Sequence, residues 1–132
     1  MPDSRVPKRL DLETYQGEAH IGIVSGTGQA LLETAITEQD VKRVVMLELP
    51  GFLGLAAIIL ATDLIATLPR HTAETLAKAK GLRVLPCPVR IPSFTVKQYW
   101  HSSYHHDSGG RWLRATCAGL FQQRVTNRAR KR

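Results

Sequence analysis

The stretch "VKRVVMLELPGFLGLAAIILATDLIATLP", residues 41–69, decides the predicted fold. Its apolar run at residues 43–49 predicts a buried strand, which Pro50 and Gly51 end. Residues 52–62 are apolar on all sides and predict a short buried helix, and residues 64–69 predict the next strand. A strand, a helix and a second strand in this order indicate parallel strands joined by a crossover helix.

The sequence on either side continues this alternation. We predict further strands at residues 19–24, 82–86 and 93–101, and helices at about 27–39 and 70–80, with Gly81 ending the second. A last helix over residues 109–123 is capped by Asp107 or Ser108. The pattern predicts an α/β fold with a doubly wound, mainly parallel sheet whose first strands are covered on both faces. Ligands of such sheets bind beyond the carboxyl ends of the strands, which here indicates residues 25–29, 50–53 and 69–72.

Length and charge limit the class of protein. The 132 residues are enough for one domain, and we divide them into an extension (1–9), the folded part (10–123) and a basic tail (124–132). The tail carries five of the positive charges, so the rest of the chain has a net charge of +2 where the whole has +7. Such a tail either contacts phosphates without sequence preference or is a solvated terminus.

The sequence shows neither a membrane-spanning stretch nor a secretory signal, and this bears on where in the cell the protein is expected. The longest apolar run, residues 52–61, has ten residues and is too short to span a bilayer. No apolar stretch follows the basic residues near the start, as a secretory signal would require, and the two cysteines are expected to be reduced. We therefore expect a cytoplasmic protein without membrane contact.

Few residues suggest catalysis. "SGTGQ" at residues 25–29 has Leu31 where a dinucleotide fingerprint needs its third glycine, and it lacks the end of a Walker loop. It is either an anion-binding helix start or a plain turn between a strand and a helix. His101 and His105 have the i,i+4 spacing of metal ligands on a helix, but they and His106 lie in a predicted strand end and loop, where adjacent histidines tend to point apart. The sequence therefore predicts no enzyme, no catalytic residue, no cofactor and no metal site.

The last predicted helix carries a wide apolar stripe that needs a partner surface. Its members are Trp112, Leu113, Thr116, Cys117, Leu120 and Phe121. A sheet of four or five strands does not obviously provide that surface.

Three segments together resemble one family. They are "GEAHIGIVSGTG", the stretch containing "TDLIATLP", and "GLRVLPCPVRIPSFTVKQYWHSSYHHDSGGRWLRATCAGLF". In this order and spacing, over about residues 10–123, they resemble the C-terminal part of the effector-binding region of LysR-type bacterial transcription regulators. The similarity is to the branch with aromatic-acid-responsive and nodulation regulators.

The resemblance implies half of a region that is similar to a periplasmic binding protein. In the family two subdomains enclose a small effector, and a helix-turn-helix binds DNA in dimers or tetramers. We expect this chain to hold the second subdomain and the terminal helix, without the helix-turn-helix and the first subdomain. The family's last helix packs on that first subdomain, so we expect the apolar stripe to dock elsewhere on its own sheet or on a second chain. A homo-oligomer is therefore expected.

The resemblance also implies an effector site. The family's contacting positions correspond to Gly26, Thr27, Gln29, Gly51, Phe52 and His106. The aromatic-acid regulators tend to carry histidine where this chain has Gln29 and Gly51, so a small, neutral or differently shaped effector is equally compatible. The predicted function is a ligand-sensing domain of a LysR-type regulator. The alternative is a stand-alone small-molecule-binding or dimerisation module derived from one.

Overall fold

The computed structural model describes residues 9–129, and of residues 79, 80 and 123–129 the backbone alone. Helices and strands alternate along it. They are α1 (Leu12–Gly17), β1 (Ala19–Ile23), α2 (Thr27–Glu38), β2 (Val44–Leu49), α3 (Leu55–Ala61), β3 (Ile65–Ala66), α4 (Arg70–Lys80), a 3₁₀ turn (Ser102–Tyr104) and α5 (Ser108–Ala129).

The three described strands form one parallel sheet with the order β2-β1-β3. β1 is central, which agrees with its burial, and β2 is an edge strand. Val45 pairs with His20 and Leu47 with Ile21, so Met46 is an additional residue that forms a bulge. The predicted parallel α/β arrangement is confirmed.

Two apolar clusters form the core. One contains Tyr15 and residues of α2, and the other joins β1 to α3. Their buried members are Tyr15, Ile21, Ile23, Leu32, Ala35, Ile36, Val41, Leu55 and Val89. Each buried leucine or isoleucine contributes about 1.5–3 kcal/mol to folding. The first cluster packs α2 against Tyr15, Val41 and Val89, and the second packs α3 against β1.

The expected coverage of both sheet faces is wrong for β2. Val44 is 59% exposed and Met46 is 66% exposed. The strand lies at the edge, and its apolar composition alone did not distinguish an edge from a centre.

Two predicted strands are absent, at residues 82–86 and 93–101. A strand needs a neighbour's backbone groups, and β3 offers a pairing of only two residues. Pro86, Pro88 and Pro92 also lack the N–H that a ladder requires. Val96 and Tyr99 are each 85% exposed, so the later segment is largely solvated.

Several element ends differ from the predictions. α3 begins at Leu55 because Gly54, with φ +76°, forms the preceding cap. α5 continues to Ala129, past the predicted end at Gln123, so the backbone of residues 124–129 is helical and only residues 130–132 of the basic tail lie outside the described part. α1 was not predicted, although Asp11 caps it by accepting a hydrogen bond from the Thr14 N–H at 2.8 Å.

The chain divides into two compact units, the first through Phe94 and the second from Thr95. The proposed divisions at residues 9/10 and 123/124 remain predictions. Among the described residues, no helix combines the length and hydropathy needed to cross a bilayer. In the second unit the α5 stripe is largely exposed, with Trp112 at 68%, and the surface on which it docks stays a prediction.

Candidate functional site

The turns after β1 and β2 lie side by side, because the two strands are parallel and end together. Ile23 is paired with Leu49, and the Val24 N–H donates to the Leu49 carbonyl at 3.0 Å. Beyond the last pair, the Ser25 hydroxyl donates to the Pro50 carbonyl at 3.0 Å. This hydrogen bond holds the turn after β1 against the turn after β2.

The first turn leads into α2 through Gly26. Its φ of +104° is rarely adopted by residues with a side chain, and it caps the helix without a side-chain hydrogen bond. The Gly26 carbonyl accepts from the Ala30 N–H at 3.2 Å. The N–H groups of the first helical turn have no acceptor within the helix, and they give this end a partial positive charge.

A third turn approaches at Gly28. A Cβ placed there would lie 2.9 Å from Pro69 Cγ, in the turn before α4, and 3.7 Å from Phe94 Cε1. Glycine is thus the residue that lets α2 approach so closely. The turns predicted as ligand positions, at residues 25–29, 50–53 and 69–72, therefore all lie at the carboxyl edge of the sheet in the first unit.

The predicted effector residues are placed unequally. Gly26, Thr27, Gly51 and Phe52 lie on the two joined turns, and Phe52 is 39% exposed. Gln29 lies on α2, but its amide donates to Glu33 at 2.6 Å along the same helix.

His106 belongs to the second unit. Its ring contacts that of His105 edge-on, with 4.8 Å between ring centres. The structure therefore brings four of the six predicted residues to one pair of turns.

The histidine-rich segment forms a small network in the second unit. His105 Nδ1 accepts from the Trp100 indole at 3.2 Å, and the Arg114 guanidinium lies 4.3 Å above the same indole. His101 Nδ1 accepts from the Ser103 N–H at 3.1 Å, as the cap of the 3₁₀ turn. Among the residues described, no three histidine, cysteine or acidic side chains are grouped as a metal site requires. The side chains serve local structure.

Asp107 caps α5, as one of the two predicted alternatives. Its carboxylate accepts from the Gly110 N–H at 2.7 Å, and its carbonyl accepts from the Arg111 N–H at 2.9 Å. The Arg114 side chain donates to the His105 carbonyl at 2.8 Å. These bonds fix how the loop enters the helix.

Two buried polar residues were missed by the sequence analysis. His20, on β1, is fully buried and its Nε2 lies 2.7 Å from the Tyr15 carbonyl. Burial lowers the pKa of His20, so the neutral ring is favoured. Burial likewise raises the pKa of Tyr15, whose hydroxyl is bonded to Thr67 at 2.8 Å. A histidine inside an apolar strand was the available signal for this pair.

The second missed feature is the ion pair of Arg43 with Glu33. The Arg43 side chain is 5% exposed, and its Nη2 donates to the Glu33 carboxylate. Glu33 lies on α2 and Arg43 lies just before β2. The pair forms because α2 packs beside the edge strand, and the sequence alone does not show that packing.

Known proteins resemble this chain along most of its length. The LysR substrate binding domain matches residues 2–122. The HTH-type transcriptional activator NahR of Pseudomonas putida is 35% identical over 121 residues, which are 91% of this chain and 40% of NahR. NagR of a Ralstonia species, also an HTH-type transcriptional activator, is 30% identical over 92% of this chain and 40% of its own length. The chain thus spans about 40% of the length of these curated relatives.

A solved structure supports the same relationship. The regulatory domain of MexT, a transcriptional activator in Pseudomonas aeruginosa, superposes with a TM-score of 0.69 at 30% identity, covering 86% of this chain and 57% of that one. The fold class predicted from the sequence is therefore confirmed. The chain belongs to the LysR substrate binding domain family.

Proposed function

We propose that the chain senses a small-molecule effector at the joined turns of residues 25–28 and 50–54, as part of a LysR-type transcription regulator. The observation that carries the proposal is the convergence of three turns, through the Ser25–Pro50 hydrogen bond and the close approach of Gly28 to Pro69. The carboxyl edge of a parallel sheet is the usual ligand position in such folds.

The chemistry of these turns suits binding. The start of α2 offers N–H donors, Thr27 offers a hydroxyl, and the half-exposed Phe52 ring offers an apolar contact. Ser25, the serine of the first turn, donates its hydroxyl hydrogen to the Pro50 carbonyl. The relatives are named transcriptional activators, and we propose that this chain likewise acts as a binding module and not as an enzyme.

We propose that the effector regulates transcription by shifting the populations of different arrangements of the regulator. An effector that binds one arrangement of the regulator better than another changes their populations by its difference in affinity. The relatives are described as HTH-type, and we propose that DNA is bound by such a segment, outside the region matched here.

A thermal-shift screen tests the site. We expect at least one compound in a panel of small carboxylates and their amides, benzoate and benzamide included, to raise the melting temperature. A ligand at a hundred times its Kd adds about 2.7 kcal/mol of stability. Thr27→Ala should weaken that ligand's binding, because its hydroxyl lies on the first turn of α2. Thr37→Ala is the matched control, since that hydroxyl bonds to the Glu33 carbonyl near the far end of the same helix.

Two results would contradict the proposal. One is the absence of stabilisation by any compound of the panel. The other is an equal loss of affinity in Thr27→Ala and Thr37→Ala, which would place the ligand away from the turns.

A dimerisation module is the second candidate, and the exposed α5 stripe favours it. Trp112, Leu113 and Leu120 are each more than half exposed in the second unit. Burial of such a surface drives association. A chain that associates strongly but binds no compound of the panel would support this second candidate over the first.

A further inference from the structure

The apolar stripe of α5 is exposed in the second unit. Trp112 is 68% exposed, Leu113 56% and Leu120 63%, while Thr116 and Cys117 in the middle of the stripe are half-buried. Successive residues of an α-helix are turned by about 100°, so these five residues fall on one half of the helix surface. Leu113 and Leu120, two turns apart, form the midline of that half.

The stripe carries no charged side chain. Arg111 and Arg114 fall on the other side of the helix at the same angle per residue. The second unit itself holds Arg114 there, since its guanidinium donates to the His105 carbonyl at 2.8 Å and lies 4.3 Å above the Trp100 ring. Few charged residues occur at the centre of protein interfaces. The stripe therefore fits an apolar partner surface rather than an acidic one.

The stripe is symmetric about its own centre. From either end it runs through a large aromatic residue, a leucine, two small residues, a leucine and a second large aromatic residue, from Trp112 to Phe121. A two-fold interface uses the same surface on both copies, so that surface has to be complementary to itself. In an antiparallel pair of these helices, Leu113 of each copy lies against Leu120 of the other. This symmetry selects a second copy of the chain as the partner.

The stripe is also large enough for a dimer. Large aromatic side chains bury about 150–250 Å² each in interfaces. The four large members of the stripe are each more than half exposed. Two copies together therefore remove on the order of 1,000 Å² from water, the size at which specific interfaces begin. The small residues in the middle allow the usual distance of about 8–10 Å between the helix axes.

We infer that α5 is a homodimerisation surface, in which the stripes of two copies pack antiparallel about a two-fold axis beside Cys117. The axis places Cys117 next to Cys117 of the second copy. It also places Trp112 of each copy beside Gly119 of the other, where nothing lies within 4 Å of an added Cβ. The inference rests on the dimerisation candidate above and deepens it, and it involves none of the effector turns.

Cysteine cross-linking of the whole chain tests the antiparallel register. Two variants are made in the Cys87→Ser/Cys117→Ser background, one with Leu113→Cys and the other with Leu120→Cys. Diamide oxidises two thiols to a disulfide by taking up both hydrogens, and the bond needs Cα atoms within about 7 Å. We expect a covalent dimer only in the mixture of the two variants. In either variant alone, the two cysteines would lie about 10 Å apart along the helix axes.

The natural cysteines give a second readout that needs no change in the large side chains of the stripe. Cys87→Ser, which keeps Cys117, should form the covalent dimer with diamide, and Cys117→Ser should form much less. Without oxidant, sedimentation equilibrium should show a dimer of the natural chain. Trp112→Ala should weaken this dimer at least about tenfold, because tryptophan is prominent among the residues that dominate interface energies. Tyr99→Ala is the matched control, since it removes a ring that is 85% exposed in the same unit outside α5.

Four results would overturn the inference. They are a natural chain that stays monomeric at millimolar concentration, an equal loss of association in Trp112→Ala and Tyr99→Ala, a covalent dimer of Leu113→Cys alone, and a non-covalent dimer that gives no cross-link in the mixture. The last result would leave the dimerisation candidate standing through another surface, so the two fail separately. The effector site is tested independently by the thermal-shift screen.

Discussion

Replacing Gly28 by alanine should destabilise the first unit, although the same change favours most helices. In a helix interior, alanine is more stable than glycine by about 0.5–1 kcal/mol. At Gly28 the new Cβ would lie 2.9 Å from Pro69 Cγ, closer than carbon atoms pack, and the proline ring cannot rotate away. Forcing extra volume into a packed contact costs about 1–3 kcal/mol. The expected net effect is a loss of about 1 kcal/mol.

Urea denaturation followed by far-ultraviolet circular dichroism measures this change, with amide hydrogen exchange of α2 as the local probe. Both tryptophans, Trp100 and Trp112, lie in the second unit, so their fluorescence does not report on α2. Gly17→Ala is the matched control, because a Cβ at the end of α1 has no atom within 4 Å. It should be neutral or slightly stabilising.

The double variant Gly28→Ala/Pro69→Ala identifies the cause. If the contact with Pro69 is responsible, shortening the proline side chain removes part of the loss, and the two changes are not additive. A Gly28→Ala protein that is more stable than the natural chain would refute the close approach of α2 to the turn before α4. Full additivity would refute Pro69 as its cause.

Three further predictions concern other elements. Asp107→Ala removes the acceptor of the Gly110 N–H and should cost α5 about 1 kcal/mol, measured as faster amide exchange in its first turn. Burial lowers the pKa of His20 below the ordinary 6.5, so the unfolded chain binds the proton more readily. Stability is therefore full above about pH 6.5 and falls as the pH decreases through the folded pKa, which urea midpoints at several pH values will show. Leu113→Glu with Leu120→Glu should weaken self-association in sedimentation experiments, because both exposed side chains belong to the α5 stripe.

Each of these three has its control. Ser108→Ala should leave the first turn of α5 protected, and equal exchange in both variants would argue against the Asp107 cap. His20→Gln should flatten the pH dependence of stability and His106→Gln should not; an unchanged slope in His20→Gln would assign the titration elsewhere. Ala115→Glu adds one such charge at an exposed position of α5 outside the stripe, so a loss of association equal to that of Leu113→Glu alone would indicate charge repulsion alone.

Elements with local signals were predictable from the sequence. α4 was placed at residues 70–80 with Gly81 as its end, and Gly81 has the φ of +67° that such a terminus requires. The Asp107 cap was recognised for the same reason, since a capping carboxylate acts within one turn. The Asp11 cap of α1 carried an equally local signal that was overlooked.

Elements that depend on distant partners were not predictable in the same way. Residues 82–86 have the composition of a strand, but β3 offers a two-residue pairing and the segment contains or precedes three prolines. The exposure of β2 and the bulge at Met46 depend on which strand lies at the edge, and composition does not specify strand order. The Arg43–Glu33 pair likewise exists only because α2 packs beside β2.

The same distinction applies to the candidate effector site. Parallel strands end at one edge, so the order of β1, α2 and β2 was enough to place the turns at residues 25–28 and 50–54 together. The close approach of Gly28 to Pro69 depends, in addition, on how α2 packs against the turn before α4, and composition does not specify that packing. Gln29 shows the difference: it was predicted at the turns, yet its amide donates to Glu33 along α2. Gln29→Ala should therefore weaken a ligand held by Thr27 and Gly51 less than Thr27→Ala does, and the reverse result would return Gln29 to the site that the resemblance implied.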